Sequence, residues 1–147
     1  MKDLPAHCLT SSAVRVRFGE TDLMGIVHHA TYLSYFEVGR VEYLRWRGIE
    51  YLEWASRGVH LPVVEAHLRY RRTARFDERL VVETRLSELG RVKVRFDYRL
   101  LRGAELVAEG WTTLACVDER HAPTRIPADI LQVLSGPETN PRDLDSV

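Results

Sequence analysis

Residues 30–47, ATYLSYFEVGRVEYLRWR, constrain the fold more than any other part of this sequence. The segment contains no proline, and its apolar and aromatic residues fall on most faces of a helix rather than on one stripe. Basic residues in its last turn, followed by Gly48, are typical of a helix end. The pattern therefore predicts one long, largely buried helix. Ser34 and Glu37 also match a capping box, which would start the helix one turn later.

Alternating apolar and polar residues predict strands around this helix. The clearest alternation covers residues 92–100, and short turns separate the neighbouring runs, which is typical of antiparallel strands. In all, the sequence predicts strands over residues 13–18, 64–71, 80–86, 92–100 and 106–117, and shorter helices over 50–57 and 127–134. A lone apolar helix must bury several faces, and a curved sheet wrapped around it would do so. The open edges of such a sheet favour pairing with a second copy of the chain.

The chain of 147 residues is long enough for one domain with its own core. We expect a single domain over residues 1–135 and a mobile tail over the polar residues 136–147. Basic and acidic residues number 21 each, so no net basic field favours nucleic acid or a membrane surface. No apolar run approaches the roughly 20 residues of a membrane-spanning helix, and the N-terminus lacks the apolar core of a signal peptide. We therefore expect a cytoplasmic protein in which Cys8 and Cys116 are free thiols.

Residues 20–33, ETDLMGIVHHATYL, combine an acid, a glycine and two adjacent histidines. Adjacent side chains diverge on both helices and strands, so His28 and His29 are poorly placed to share one metal ion, and the i, i+4 spacing of helical zinc ligands is absent. We therefore predict no metal site. Judged from the residues alone, Asp22 is more simply an acid that hydrogen-bonds the backbone of a turn, and His29 a polar residue at a helix start.

A longer stretch of the sequence favours a catalytic interpretation of Asp22 instead. Residues 16–49, VRFGETDLMGIVHHATYLSYFEVGRVEYLRWRGI, closely resemble acyl-CoA thioesterases of the 4-hydroxybenzoyl-CoA thioesterase type, in the hotdog superfamily. They are most similar to the branch that includes the Tol-Pal-associated thioesterase. The matching features are the Thr21-Asp22 pair, Gly25, Val27, His29, Tyr32, Phe36-Glu37 and Arg40. The resemblance continues through residues 61–84 and 96–99.

This resemblance implies an α+β hotdog fold, in which a long central helix is wrapped by a curved antiparallel sheet. It implies dimerisation through that sheet, either as a homodimer or with two dimers joined into a homotetramer. It also implies hydrolysis of the thioester of an aliphatic or aromatic acyl-CoA, or of an acyl-carrier-protein thioester. No cofactor is required, because coenzyme A belongs to the substrate and the product.

The resemblance also assigns roles within the site. Asp22 would act as general base or nucleophile, while the backbone N–H of His29 would stabilise the oxyanion and its ring would assist. Basic residues are expected beside the phosphates of coenzyme A. Thr73 matches a position near the active site of the hydroxybenzoyl-CoA enzyme, although an ordinary strand threonine is the simpler interpretation. The residues implied to contact substrate are Gly25, Ile26, Val27, His28, Tyr32, Thr73 and Arg91. Glu37, on the central helix, is expected to be a structural partner of Arg40 or of backbone groups.

Two other functions fit the same fold. One is a noncatalytic hotdog domain that binds acyl-CoA or an acyl-carrier protein, although such a domain has no need of Asp22. The other is a hotdog hydratase or dehydratase, which needs an acid–base pair beside the acyl chain, and the motif typical of those enzymes is not found in this sequence.

Overall fold

The computed structural model of the protein describes residues 9–136. The predicted tail therefore lies outside the described residues apart from Gly136, and so does Cys8. In chain order the elements are β1 (Leu9–Arg15), a 3-10 helix (Phe18–Glu20), α1 (Thr31–Trp46), α2 (Tyr51–Ser56), β2 (Val59–His60), β3 (Val63–Tyr70), β4 (Arg79–Leu89), β5 (Lys93–Arg102), β6 (Glu105–Ala115), β7 (Val117–Asp118) and α3 (Ala128–Ser135).

Five strands form one antiparallel sheet in the order β1-β4-β5-β6-β3, and β2 pairs with β7 in a separate two-stranded sheet. The predicted antiparallel α+β architecture is confirmed. Along β4 and β5, inward residues such as Leu80, Val82, Phe96 and Tyr98 are fully or almost fully buried, whereas their neighbours are partly or fully exposed. This is the period-two pattern that the sequence showed.

The long helix α1 packs across the inner face of this sheet. The ring of Phe36 on α1 stacks on the ring of Tyr98, with their centroids 4.4 Å apart. The rings of Tyr43 and Phe96 pack edge to face, with their centroids 5.5 Å apart. Between these aromatic contacts, Gly39 lets the helix approach β4 closely, because a Cβ there would lie only 2.7 Å from Val82 Cγ1 and closer still to Thr84 Oγ1. The prediction of a buried helix over residues 30–47 is therefore confirmed.

Two details of the prediction are wrong. The helix begins at Thr31, so Ser34 and Glu37 lie inside it and do not form a capping box at its start. The first strand runs from Leu9 to Arg15 rather than over residues 13–18, because its pairing with β4 extends through the polar residues 10–12. Phe18 instead belongs to the 3-10 helix that follows, and its side chain is exposed.

Strand β3 occupies one edge of the sheet and differs from its neighbours. It pairs with β6 on one side, and within the described residues no strand covers its other side. Nearly all of its side chains are exposed, including Val63, Val64 and Tyr70, despite the alternation in its sequence. The protein thus presents an apolar strand edge to its surroundings.

The end of α1 and the last helix are held together by Arg47. Its guanidinium donates to the carbonyls of Val133 and Gly136 at the end of α3. Cys116 is buried and free, as expected, and burial raises the pKa of its thiol. No helix within residues 9–136 is both long and apolar enough to span a membrane.

Candidate active site

Asp22 opens a tight turn that fixes its own carboxylate. The carbonyl oxygen of Asp22 accepts the N–H of Gly25 at 2.9 Å, and its Oδ1 accepts the N–H of Met24 at 2.8 Å. Gly25 has a φ of 75°, a left-handed conformation that favours glycine at this position. The turn interpretation of Asp22 is therefore confirmed. It does not exclude catalysis, since Oδ2 accepts no hydrogen bond from the part of the chain that the structure describes.

The segments before and after this turn are paired with each other, and the second of them is bound to the loop between β3 and β4. Thr21 and Val27 form a β-bridge, and Val27, which is buried, donates its N–H to the carbonyl of Ala74 at 2.8 Å. Ala74 lies between β3 and β4, directly after Thr73. The bond to Ala74 therefore places Asp22, Gly25, Ile26, Val27 and Thr73 in one neighbourhood at the end of the sheet where β4 begins.

Helix α1 begins at the same place without a side-chain cap. Ala30 is its first flanking residue and makes no capping hydrogen bond. The N–H of His28 is taken by the carbonyl of Glu20 at 2.8 Å, whereas the N–H of His29 donates no hydrogen bond within residues 9–136. Unpaired N–H groups at a helix start coincide with the positive end of the helix dipole, where negative charge is stabilised.

The side chains of the two histidines are exposed and lie against each other. Their ring centroids are 4.3 Å apart with the planes tilted by 57°. Across the described residues, no three His, Cys, Asp or Glu side chains are grouped as metal ligands. His28 and His29 thus form part of the exposed wall beside the helix start.

Three tyrosines border the helix start. Tyr70, at the end of β3, donates its hydroxyl to the carbonyl of His29 at 2.8 Å. Its ring meets that of Tyr32 edge-on at 5.1 Å, and Tyr32 in turn meets Tyr35 at 6.0 Å. Burial raises the pKa of Tyr32, so its hydroxyl is neutral at ordinary pH. Tyr32 is thus connected to the candidate oxyanion donor through Tyr70, and its own side chain is buried.

Sequence reasoning missed Glu20 and its contact with Tyr35. One oxygen of Glu20 accepts the Tyr35 hydroxyl at 3.0 Å and the N–H of Arg17 at 2.7 Å. Burial, followed by the hydrogen bond to Glu20, raises the pKa of Tyr35 well above its usual range. The only signal in the sequence was that Glu20 stands two residues before the candidate catalytic acid, and nothing linked it to a residue 15 positions later.

Arg91 does not lie with the other predicted residues in this chain. It is in the turn between β4 and β5, at the far end of β4 from the Asp22 turn. An eleven-residue strand such as β4 spans about 35 Å, so the two positions are at opposite ends of the sheet. Glu37 approaches Arg40 to 4.0 Å and is largely exposed, which confirms a structural pairing on α1.

Comparisons with known proteins agree with this architecture. The family described as "Thioesterase-like superfamily" matches residues 16–134. The chain is 34% identical over 109 residues to the acyl-CoA thioesterase YbgC of Haemophilus influenzae, covering 74% of this chain and 80% of that one. It is 36% identical over 107 residues to a 1,4-dihydroxy-2-naphthoyl-CoA hydrolase of Synechococcus elongatus, covering 71% and 79%.

A solved structure is also similar. The crystal structure of a hypothetical protein, TT1821, from Thermus thermophilus superposes with a TM-score of 0.82 at 43% identity, covering 85% of this chain and 96% of that one. The fold of the described residues is therefore one that occurs in known structures.

Proposed function

This chain belongs to the thioesterase-like superfamily, and we propose that, as a thioester hydrolase of that superfamily, it cleaves acyl-CoA to a free acid and coenzyme A. The observation that carries the proposal is one short segment that holds two uncommitted groups. A carboxylate with one uncommitted oxygen lies in the turn that the Thr21–Val27 bridge closes, and two residues after Val27 the N–H of His29 is also uncommitted within the described residues. Thioester hydrolysis needs both a base or nucleophile and an oxyanion donor.

The proposed reaction uses the carboxylate of Asp22 at its uncommitted oxygen. As a general base, it would take a proton from a water molecule while that water attacks the thioester carbonyl. As a nucleophile, it would attack the carbonyl itself, expel the thiolate and form a mixed anhydride that water then hydrolyses. Both routes place negative charge on the carbonyl oxygen, and the N–H of His29 at the start of α1 is the proposed donor to it.

The same geometry supports a minor role for the His29 ring. A thiol is a good leaving group, so protonation of the departing sulfur requires little help. The rings of His28 and His29 are exposed and lie against each other, and we propose that they border the path of the substrate. We assign Tyr32, whose ring contacts Tyr70, to the acyl-binding surface, together with the loop residues Gly25, Ile26 and Val27.

The acyl-CoA assignment is supported by two relatives that are named as hydrolases of CoA thioesters. Within the superfamily, we assign the chain to the 4-hydroxybenzoyl-CoA thioesterase type and the Tol-Pal-associated branch, on the residues 16–49 quoted above. An acyl-carrier-protein thioester would present the same reacting group to Asp22.

We further propose a homodimer joined through β3. The uncovered edge of this strand and its exposed Val63, Val64 and Tyr70 support pairing with the β3 strand of a second copy. Antiparallel pairing would bring the Val63 end of one copy beside the Tyr70 end of the other. Arg91 lies at the Val63 end of its own sheet, so in such a dimer it would face the Asp22 end of the partner. A phosphate-binding role for Arg91 therefore requires the dimer.

The test is release of free thiol from a panel of aliphatic and aromatic acyl-CoAs. Wild type should turn over at least one of them, and Asp22→Asn should lose a factor of roughly 100 or more in kcat while remaining folded. Asp118→Asn is a matched control, because Asp118 Oδ1 also accepts backbone N–H groups in a turn, from Arg120 at 2.9 Å and Ala122 at 3.0 Å. That variant should keep the wild-type rate.

Three results would contradict the proposal. Wild type that binds acyl-CoA without releasing thiol would be a binding domain. Loss of enoyl absorbance without thiol release would indicate a hydratase. Equal rates for wild type and Asp22→Asn would remove Asp22 from the mechanism and leave it a turn residue.

A further inference from the structure

The candidate site is assembled from two neighbouring parts of one short segment. The carboxylate of Asp22 belongs to a turn after the 3-10 helix, and His29 lies two residues before the first residue of α1. A base or nucleophile and an oxyanion donor must both meet the same carbonyl group, so the distance between them has to be fixed. The contacts that hold the turn against the helix therefore bear directly on the rate.

Glu20 holds these two parts through its backbone. It stands two residues before Asp22, and its carbonyl accepts the N–H of His28 at 2.8 Å. This bond ties the segment that enters the Asp22 turn to the residue immediately before His29. It also engages the N–H that precedes the proposed oxyanion donor.

The side chain of Glu20 makes a second tie, to the body of α1. Its carboxylate is mostly buried, with 14% of the side chain exposed. The oxygen Oε1 accepts the hydroxyl of Tyr35 at 3.0 Å and the N–H of Arg17 at 2.7 Å. Tyr35 is itself 3% exposed and fixed within the core. Its raised pKa keeps the hydroxyl protonated, so it remains a donor to Glu20 at ordinary pH.

We propose that Glu20 and Tyr35 are positioning residues, which set the placement of the Asp22 carboxylate relative to the His29 N–H for thioester hydrolysis. The inference rests on the proposed function. Neither residue touches the reacting atoms, so both act through the two groups that do. Because the hydroxyl of Tyr35 acts through Glu20, removing it should add little to the loss of Glu20, whereas Glu20→Ala also removes the acceptor of the Arg17 N–H.

The experiment measures kcat and KM per folded subunit, using the best acyl-CoA substrate of wild type. Tyr35→Phe removes only the hydroxyl and keeps the ring, while Glu20→Ala removes the acceptor. Each should lower kcat about 10-fold or more, since small misplacements of reacting groups are costly, and KM should change less than about 2-fold. The double variant should be no slower than the slower single variant. Glu20→Gln keeps an oxygen acceptor for Tyr35 and should recover most of the lost rate.

Tyr98→Phe is the matched control. Tyr98 is as buried as Tyr35, and its hydroxyl lies 2.6 Å from Thr112 Oγ1 in the centre of the sheet, away from the Asp22 turn. It should lose stability to a similar extent and keep its kcat. This comparison separates positioning from a general loss of packing.

Two results would overturn the inference. If Tyr35→Phe and Glu20→Ala keep the wild-type kcat while Asp22→Asn is inactive, the pair is merely structural and the proposed function stands. If kcat falls equally in Tyr98→Phe, the effect is a general consequence of instability. Wild type that releases no thiol from any substrate would overturn the proposed function together with this inference.

Discussion

Replacing Gly39 with alanine tests how closely α1 packs on the sheet. In an open helix, this change would stabilise by about 1 kcal/mol, because alanine favours helix and glycine does not. Here the new Cβ would lie 2.7 Å from Val82 Cγ1 and closer still to Thr84 Oγ1. Carbon atoms in ordinary contact are about 3.5–4.0 Å apart, so the overlap approaches 1 Å in a region where both neighbours are fully buried.

The overlap should outweigh the gain in helix propensity. Overpacking in a core costs about 1–3 kcal/mol, and two buried neighbours on one strand place Gly39→Ala near the upper end. We therefore expect a net loss of about 2 kcal/mol in the free energy of unfolding, which lowers Tm by roughly 4–8 °C for a domain of this size. The measurement is chemical and thermal unfolding at one fixed protein concentration, because association would also shift stability.

Gly19→Ala is the matched control for this experiment. A Cβ at Gly19 would meet no atom within 4 Å, and its backbone does not have a positive φ. Its effect should stay within about 0.5 kcal/mol. In the Gly39→Ala background, Thr84→Ala removes the closest obstacle and should recover part of the loss. Equal or greater stability of Gly39→Ala relative to wild type would refute the close packing described here.

Two further predictions concern the site and the buried thiol. Tyr70→Phe removes the hydroxyl that donates to the His29 carbonyl. A net hydrogen bond contributes about 0.5–1.5 kcal/mol, so we expect kcat, measured by thiol release, to fall by between about 2-fold and 10-fold. An unchanged kcat would show that this bond does not support the helix start. Cys116 is buried and the pKa of its thiol is raised by burial, so in a Cys8→Ser variant a thiol reagent at pH 8 should label the native protein slowly and the unfolded protein at once. Rapid labelling of the native variant would contradict the burial of Cys116.

The secondary structure was largely predictable because apolar residues recur at clear helical or strand spacings along the sequence. A proline-free segment of 18 residues that is apolar on most faces favours a buried helix, and β5 alternates from Lys93 to Leu100. Strand β1 was misplaced because Thr10, Ser11 and Ser12 carry no apolar alternation, and its pairing with β4 decides its extent. Edge strands are specified by their partners as much as by their own residues.

The site was predictable only where the residues form one local motif. Asp22, Gly25 and His29 lie within eight positions of one another, in a turn and the short stretch between that turn and α1. The Glu20–Tyr35 hydrogen bond depends on how the loop folds back on α1, and no local pattern encodes that contact. The end of the sheet that carries Arg91 is likewise set by strand order, which the sequence does not state.

The turn at Asp22 fixes its carboxylate through backbone atoms alone. Its carboxylate is oriented by the backbone N–H of Met24, and the turn closes through backbone atoms of Asp22 and Gly25. The side chains of Leu23 and Met24 take no part in these bonds, and both are exposed. Almost any residue supplies the same N–H, so these two positions can be exchanged while the acid keeps its orientation. On the proposed mechanism, variation at residues 23 and 24 would therefore leave the carboxylate of Asp22 in its orientation.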